Sequence, residues 1–385
     1  MSVGVDARRT RLATVAFAVA AVVVAAMLTG ATVVRRPTSS SMMMIQMAGS
    51  DDFFDEQAVR QEFARNGIIV QQHPLGSQLI AKVPDLATAY DIANAGSYEA
   101  AKNIEHALDA QGADVENSTQ ISTPMVILTD RSIVDLLLPS GLVTDEGGFL
   151  VFHVERYLAE VVSRGMRWKD IPHNLSYSND NQILVSTTDP GESNSGGMFA
   201  AIASFVTNNN APIKDVRPDD SSLDVVINCF KAQGSMADHT PKLLSRFLTV
   251  GTSRYPMAMV YERDYLATLL LHPEEVPPHM VAMYPTPTVI SDETLVQWKP
   301  RNARSGRAAK VIELLNHDPI LLKLEEQSGA RTVSDRNQFV ADMAAKGIKV
   351  PDLAALPTGL QVASLPSDAV LQKLIAAIEK GIANG

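Results

Sequence analysis

The chain has 385 residues, of which 46% are hydrophobic, and a formal net charge of −10. That balance argues against nucleic acid as a partner, since nucleic acid selects a basic surface. The single cysteine, Cys229, excludes an intramolecular disulfide and reads as a small buried hydrophobe.

Residues 12–34 run LATVAFAVAAVVVAAMLTGATVV without a charge, between Arg8, Arg9 and Arg11 on one side and Arg35 and Arg36 on the other. About 20 apolar residues span a bilayer core, so this segment is read as a transmembrane signal anchor with residues 1–11 cytoplasmic. A signal peptide cleaved near Leu28–Ala31 is the alternative, but its apolar core would end before Val33 and Val34. No cysteine follows the run, so a lipid anchor has no acceptor there. The roughly 350 residues beyond the span are expected outside the membrane, enough for a core in two domains or lobes without disulfide staples. Residues 35–42 read as a short polar linker.

The elements then follow in order. Met43–Met47 is a first strand, residues 51–67 carry helical spacing with acids at the start, and Gly67 suits a C-cap. Ile68–Val70 is the next strand, completing a βαβ unit that points to a parallel sheet. Tyr90–Ala93 is a strand, and Ser97 is placed to cap a helix over Tyr98–Ala110. Strands are predicted at Met125–Leu128, Ile183–Thr187, Met257–Tyr261 and Val281–Tyr284. Helices are predicted at 130–138, 153–164, Met198–Thr207 and Glu262–Leu271, with a mostly helical tail after Ser305.

Three strand ends enter helices through small, hydroxyl-bearing turns: Gly49-Ser50, Gly96-Ser97, and the segment from Thr188 to Gly197. In open α/β sheets ligands bind beyond the carboxyl ends of the strands, and free N–H groups at helix starts favour an anion. Each turn alone also reads as an ordinary helix cap. Gly191-Glu192-Ser193-Asn194-Ser195 misses the nucleophile-elbow pattern, because serine stands where that pattern needs glycine. Neither a phosphate loop nor a dinucleotide fingerprint is present. His153-Val154-Glu155 has no Cys-x-x-Cys to complete a zinc site, so no metal, no cofactor and no catalytic residue is expected.

The order of these segments resembles the type II solute-binding proteins of bacterial ABC transporters, in the membrane-anchored actinobacterial variety. The resemblance is carried by Ala48-Gly49-Ser50, Pro74-Leu75-Gly76-Ser77-Gln78, Tyr90-Asp91-Ile92-Ala93 and Thr123-Pro124-Met125-Val126. It continues in Thr187-Thr188-Asp189 through Ser193-Asn194-Ser195-Gly196, and in Val260-Tyr261-Glu262. The motifs are short and cover roughly residues 43–300, and their order and spacing give the match its weight.

The resemblance implies an α/β, two-lobed type II periplasmic-binding-protein-like fold with two crossing hinge strands, preceded by the transmembrane helix. Lobe one would hold 43–123 plus 262–385 and lobe two 126–258, with crossings at Thr123–Val126 and Val260–Glu262. Ligand contacts would come from Ser50, Ser77, Gly96 and Ser97 on lobe one, and from Thr188, Ser193, Asn194 and Ser195 on lobe two. Tyr261 and Glu262 would stand near the hinge. No arginine or lysine is evident among these contacts, which leaves neutral donors for a small polar or anionic ligand.

The function so implied is extracytoplasmic solute binding, with a small molecule and an ABC permease as partners. A binding-protein-like module that recognises a protein partner in envelope signalling or assembly is the alternative, and an enzyme on the same fold is a third reading.

Overall fold

The computed structural model describes residues 42–384 apart from 50, 173, 176, 218–220, 301–305, 333–335 and 358, with nothing stated for the side chains of 336 and 337. The apolar span 12–34, its flanks 1–11 and 35–41, and Ser50 lie outside the described residues. Among the described residues no helix is long and apolar enough to cross a membrane.

The βαβ opening forms as its sequence suggests. β1 (Met43–Ala48) pairs in parallel with β2 (Ile68–His73), in register from Met43↔Ile68 to Ala48↔His73. The helix Gln57–Arg65 between them buries Val59 and Phe63 against Ile45 and Met47, and Gly67 ends it at φ +75°. That left-handed turn is one glycine enters without a Cβ clash. β3 (Ile92–Ala95) joins β1 on its other side, also parallel, two residues later than the sequence suggests. Ser97 caps the helix Tyr98–Ala110, accepting from the Ala100 N–H at 3.1 Å.

The long strand β4 (Ala113–Asp130) ties the molecule together. Its first part, Ala113 to Pro124, runs antiparallel to β9 (Ile290–Pro300). Its second part pairs with β7 (Ala258–Tyr261) from Met125↔Tyr261 to Leu128↔Ala258, and with β8 (Met280–Thr286) from Ile127↔Met283 to Asp130↔Met280. Beyond β8 lie β6 (Phe149–His153) and then β5 (Val143–Glu146). The strand order is therefore β2-β1-β3-β9-β4-β8-β6-β5, with β7 on β4. A first sheet, β2-β1-β3-β9-β4, passes into a second where β4 changes partner at Pro124–Met125.

This topology moves the second crossing. The resemblance places that crossing at Val260–Glu262. In the structure Ala258–Tyr261 lies wholly in the second sheet, as does Met280–Thr286, and the chain returns to the first sheet between Thr286 and Ile290. The C-terminal helix Asp368–Ala383 also departs from the expected placement of 262–385. It buries Leu371, Leu374, Ile375 and Ile378 against Met198, Phe199 and Phe230, in the core of the second sheet.

Two further readings change. Ile183–Thr187 is extended but pairs only through single bridges, Ser186 to Ala258 and, just beyond it, Thr188 to Ala237. The helix expected from Met198 starts four residues earlier, at Asn194. Cys229 is buried, its thiol lies 3.3 Å from the Val225 carbonyl, and burial pushes its pKa up to about 12, which makes it inert.

Candidate functional site

Parallel strands place their carboxyl ends on one sheet edge, so the turns after β1 and β3 lie side by side. Asp51 follows the first turn and caps the short helix Asp52–Asp55, accepting from the Phe53 N–H at 2.9 Å. The second turn carries Gly96, whose N–H donates to Ser77 Oγ at 3.0 Å. Opposite them, from the second sheet, stand the start of the helix Asn194–Thr207 and the end of β7 at Tyr261.

The two sides touch directly. Ser97 Oγ donates to Asn194 Oδ1 at 2.9 Å, and Asn194 Nδ2 donates to the Tyr261 hydroxyl at 2.9 Å. A Cβ on Gly96 would lie 3.1 Å from the Tyr261 hydroxyl and 3.2 Å from Asn194 Cβ, and one on Gly76 only 2.0 Å from the Glu192 carbonyl oxygen. Gly76 therefore has no room for a side chain, and Gly96 admits one only if its neighbours give by a few tenths of an ångström. The Gln78 N–H donates to that same carbonyl at 3.2 Å, and Lys82 Nζ donates to the Gly191 carbonyl at 2.9 Å. Gly76, Gln78, Lys82, Gly96 and Ser97 thus rest on residues 191–194.

A cavity of about 60 Å³ remains between these walls. One buried water occupies about 10–15 Å³ by this measure, so the space suits roughly four to six heavy atoms. Ser77, Asn94, Ser193, Asn194, Thr240 and Tyr261 give it hydroxyl and amide groups, and Asp51, His239, Arg263, Asp264 and Glu293 give it titratable groups.

Arg263 organises the charged side. Its Nη2 and Nη1 donate to the two Asp51 oxygens at 2.7 and 2.9 Å, and Nη1 also donates to Glu293. Burial opposes the guanidinium charge, but the fields of Asp51 and Glu293 outweigh it and hold the group above its ordinary pKa. Burial lifts Glu293 to about 7 although Arg263 pulls it down. Burial, reinforced by Glu293, Asp52 and Asp51, raises Asp264 well above the carboxylate range against Arg263, and its Oδ2 is buried without a hydrogen-bond partner. Among the described residues no group of three or more His, Cys, Asp or Glu is placed to hold a metal ion.

No family model and no curated protein sequence matches this chain. Solved structures do. Iron-bound HitA from Pseudomonas aeruginosa superposes with a TM-score of 0.51 over 88% of this chain and 99% of its own, at 10% identity. The periplasmic binding protein AfuA from Actinobacillus pleuropneumoniae, with fructose-6-phosphate bound, gives 0.50 over 90% and 100%, at 11% identity. The chain has the two-lobed type II periplasmic-binding-protein fold.

Within that fold the residues singled out from sequence divide into groups. Ser77, Gly96, Ser193, Asn194 and Tyr261 line the cavity together. Ser97 holds Asn194 from behind while capping its own helix. Thr188 and Ser195 form a buried knot of hydroxyls: Ser195 Oγ lies 2.6 Å from Thr188 Oγ1, 2.8 Å from Thr240 Oγ1 and 3.2 Å from Ser193 Oγ. Glu262 is elsewhere, fully buried, with both oxygens taken by Arg331 and one also by the Tyr284 hydroxyl.

The sequence reading missed Asp51, Asn94, His239, Thr240, Arg263, Asp264 and Glu293 as cavity residues of the binding-protein fold. It also found no cationic side chain there, whereas Arg263 is one. A signal existed for two of them: Arg263 and Asp264 directly follow Tyr261-Glu262, at the start of a helix leaving a strand. Asp292-Glu293 reads as exposed polar chain, although it sits in β9.

Proposed function

We propose that this protein is an extracytoplasmic solute-binding protein that closes on a small polar solute between its two sheets. The observation that carries the reading is the cavity between the two sides, walled from the first sheet by Ser77 and Asn94 and from the second by Ser193, Asn194 and Tyr261. Hydroxyl and amide groups converging from two sides suit a polar solute. The change of partner in β4 and the return between Thr286 and Ile290 supply the two hinge points, and closure there needs only a few backbone dihedrals to change. The residue 12–34 span would hold the protein at the outer membrane face, where an ABC permease would receive the solute.

The test is a thermal-shift screen of the full-length protein against oxyanions, sugars, amino acids, amines and peptides, followed by solution scattering with each hit. A solute that raises the melting temperature by mass action and lowers the radius of gyration is the expected result. No shift with any solute, alongside capture of a protein partner by the same cleft face, would replace solute binding with partner recognition.

A further inference from the structure

We propose that the cleft selects a small primary ammonium solute over an oxyanion or a neutral polyol. This rests on the solute-binding reading above and names the ligand class of that same cavity.

The argument starts from charge. Three carboxyl groups, Asp51, Asp264 and Glu293, line the cavity with one guanidinium, Arg263. That guanidinium is already engaged by Asp51 through both oxygens and by Glu293. An oxyanion would have to displace a carboxylate from Arg263 and leave it buried and unpaired, which is costly. Lys242, at the rim, is likewise paired, with Asp238 at 2.8 Å. The wall therefore offers an anion no free side-chain cation.

The second observation is a group without a partner. Asp264 lines the cavity, and its Oδ2 is buried with no hydrogen bond. Buried polar atoms are nearly always paired, and a ligand donor is the partner this position lacks. An ammonium carries three donors on a compact head. One suits Asp264 Oδ2, and the others suit the hydroxyl and amide oxygens of the opposite wall. Room for roughly four to six heavy atoms fits a short amine.

The proton balance follows from the same geometry. The groups that face Asp264 are Arg263 beside it, Asp51 and Asp52 after β1, Glu293 on β9, and His239 across the cavity. Burial raises the Asp264 pKa. An arriving ammonium stabilises the carboxylate and lowers it again, so binding the cation favours proton release.

Calorimetry on the full-length protein at pH 7 and fixed ionic strength tests this with ethanolamine, ethylene glycol, phosphate and sulfate, which are similar in size. Ethanolamine is expected to bind at least about tenfold more tightly than ethylene glycol, with an enthalpy that changes with the buffer's ionisation heat. Asp264→Asn is expected to weaken ethanolamine about tenfold more than it weakens the glycol. Should that variant fail to fold, the order of affinities for ethanolamine, the glycol, phosphate and sulfate in the unaltered protein still decides the matter. Tighter binding of phosphate, sulfate or the glycol overturns the ammonium assignment and leaves solute binding standing. No heat from ethanolamine overturns the assignment too, and if the broad screen is also silent, both readings fall together.

Discussion

Ser97 and Asn194, 97 positions apart in sequence, share a hydrogen bond of 2.9 Å across the cleft. Asn194 passes the link on to the Tyr261 hydroxyl, so one amide joins the turn after β3, the second sheet's helix start and the end of β7. Its Oδ1 accepts and its Nδ2 donates, which uses the two ends of the amide for opposite purposes.

Asn194→Ala removes both bonds and leaves a buried phenol short of its donor, at a cost of about 1–3 kcal/mol. The expected outcome is a larger radius of gyration with solute present and affinity weakened by roughly ten- to a hundredfold. Ser195→Ala should behave differently. Its hydroxyl serves the knot with Thr188 and Thr240, so the loss should appear as about 0.5–1.5 kcal/mol of stability with affinity nearly unchanged. Melting curves and calorimetry on both variants separate the two roles. If Ser195→Ala loses as much affinity as Asn194→Ala, the hydroxyl reaches the solute and this assignment fails.

Glu262 has a structural task instead. Its carboxylate sits fully buried between the Arg331 guanidinium and the Tyr284 hydroxyl, which donates to it at 2.6 Å, while Arg331 also stacks 4.3 Å from the Phe339 ring centre. Removing one partner of a buried ion pair strands the other, at a cost of roughly 3–5 kcal/mol. Glu262→Gln should lower stability by about that amount in urea denaturation. The double variant Glu262→Leu with Arg331→Met should recover much of the loss, since an apolar replacement of both partners leaves no stranded charge. A Glu262→Gln protein as stable as the original would show that the pair contributes nothing net.

Much of the frame is legible in the sequence because local signals agree. Ser97 marks its helix by capping chemistry, Gly67 marks the end of another by its turn, and alternation of strand and helix gives the parallel start of the first sheet. β9 is missed because Ser291, Asp292, Glu293 and Thr294 are polar, yet they pair with β4 near the cavity. Arg263 is invisible as a site residue because its partner Asp51 lies 212 positions away. The roles of Ser193 and Ser195 hinge on where a helix begins. Starting it at Asn194 leaves Ser193 as the extended N-cap and puts Ser195 in the first helical turn, so the two side chains leave the chain in different directions. Ser193 then lines the cavity, while Ser195 bonds to Thr188 and Thr240. Composition carries no information on that difference.

Glu325 supplies a prediction that needs no ligand. It lies on the helix Pro319–Gln327, is 8% exposed, and borders the small cavity behind Arg263 and Glu293. Burial pushes its pKa up from 4.5 to about 8, with Arg263 working against the rise and Asp51 and Glu293 adding to it. Between those two values the folded protein holds a proton that the unfolded chain has released. Stability therefore falls as pH rises through this window, by up to roughly 1.4 kcal/mol per pH unit where the difference is full. Below pH 4.5 both states hold the proton and the effect is at its most favourable. Glu325→Gln carries a neutral group at every pH. In urea denaturation the variant should be more stable than the original by less than about 1 kcal/mol at pH 5 and by about 4 kcal/mol at pH 8. Parallel stability curves from pH 5 to 8 would mean that Glu325 ionises as easily in the folded protein as in the unfolded chain, and that the buried side of the Arg263 cluster is wetter than its geometry indicates.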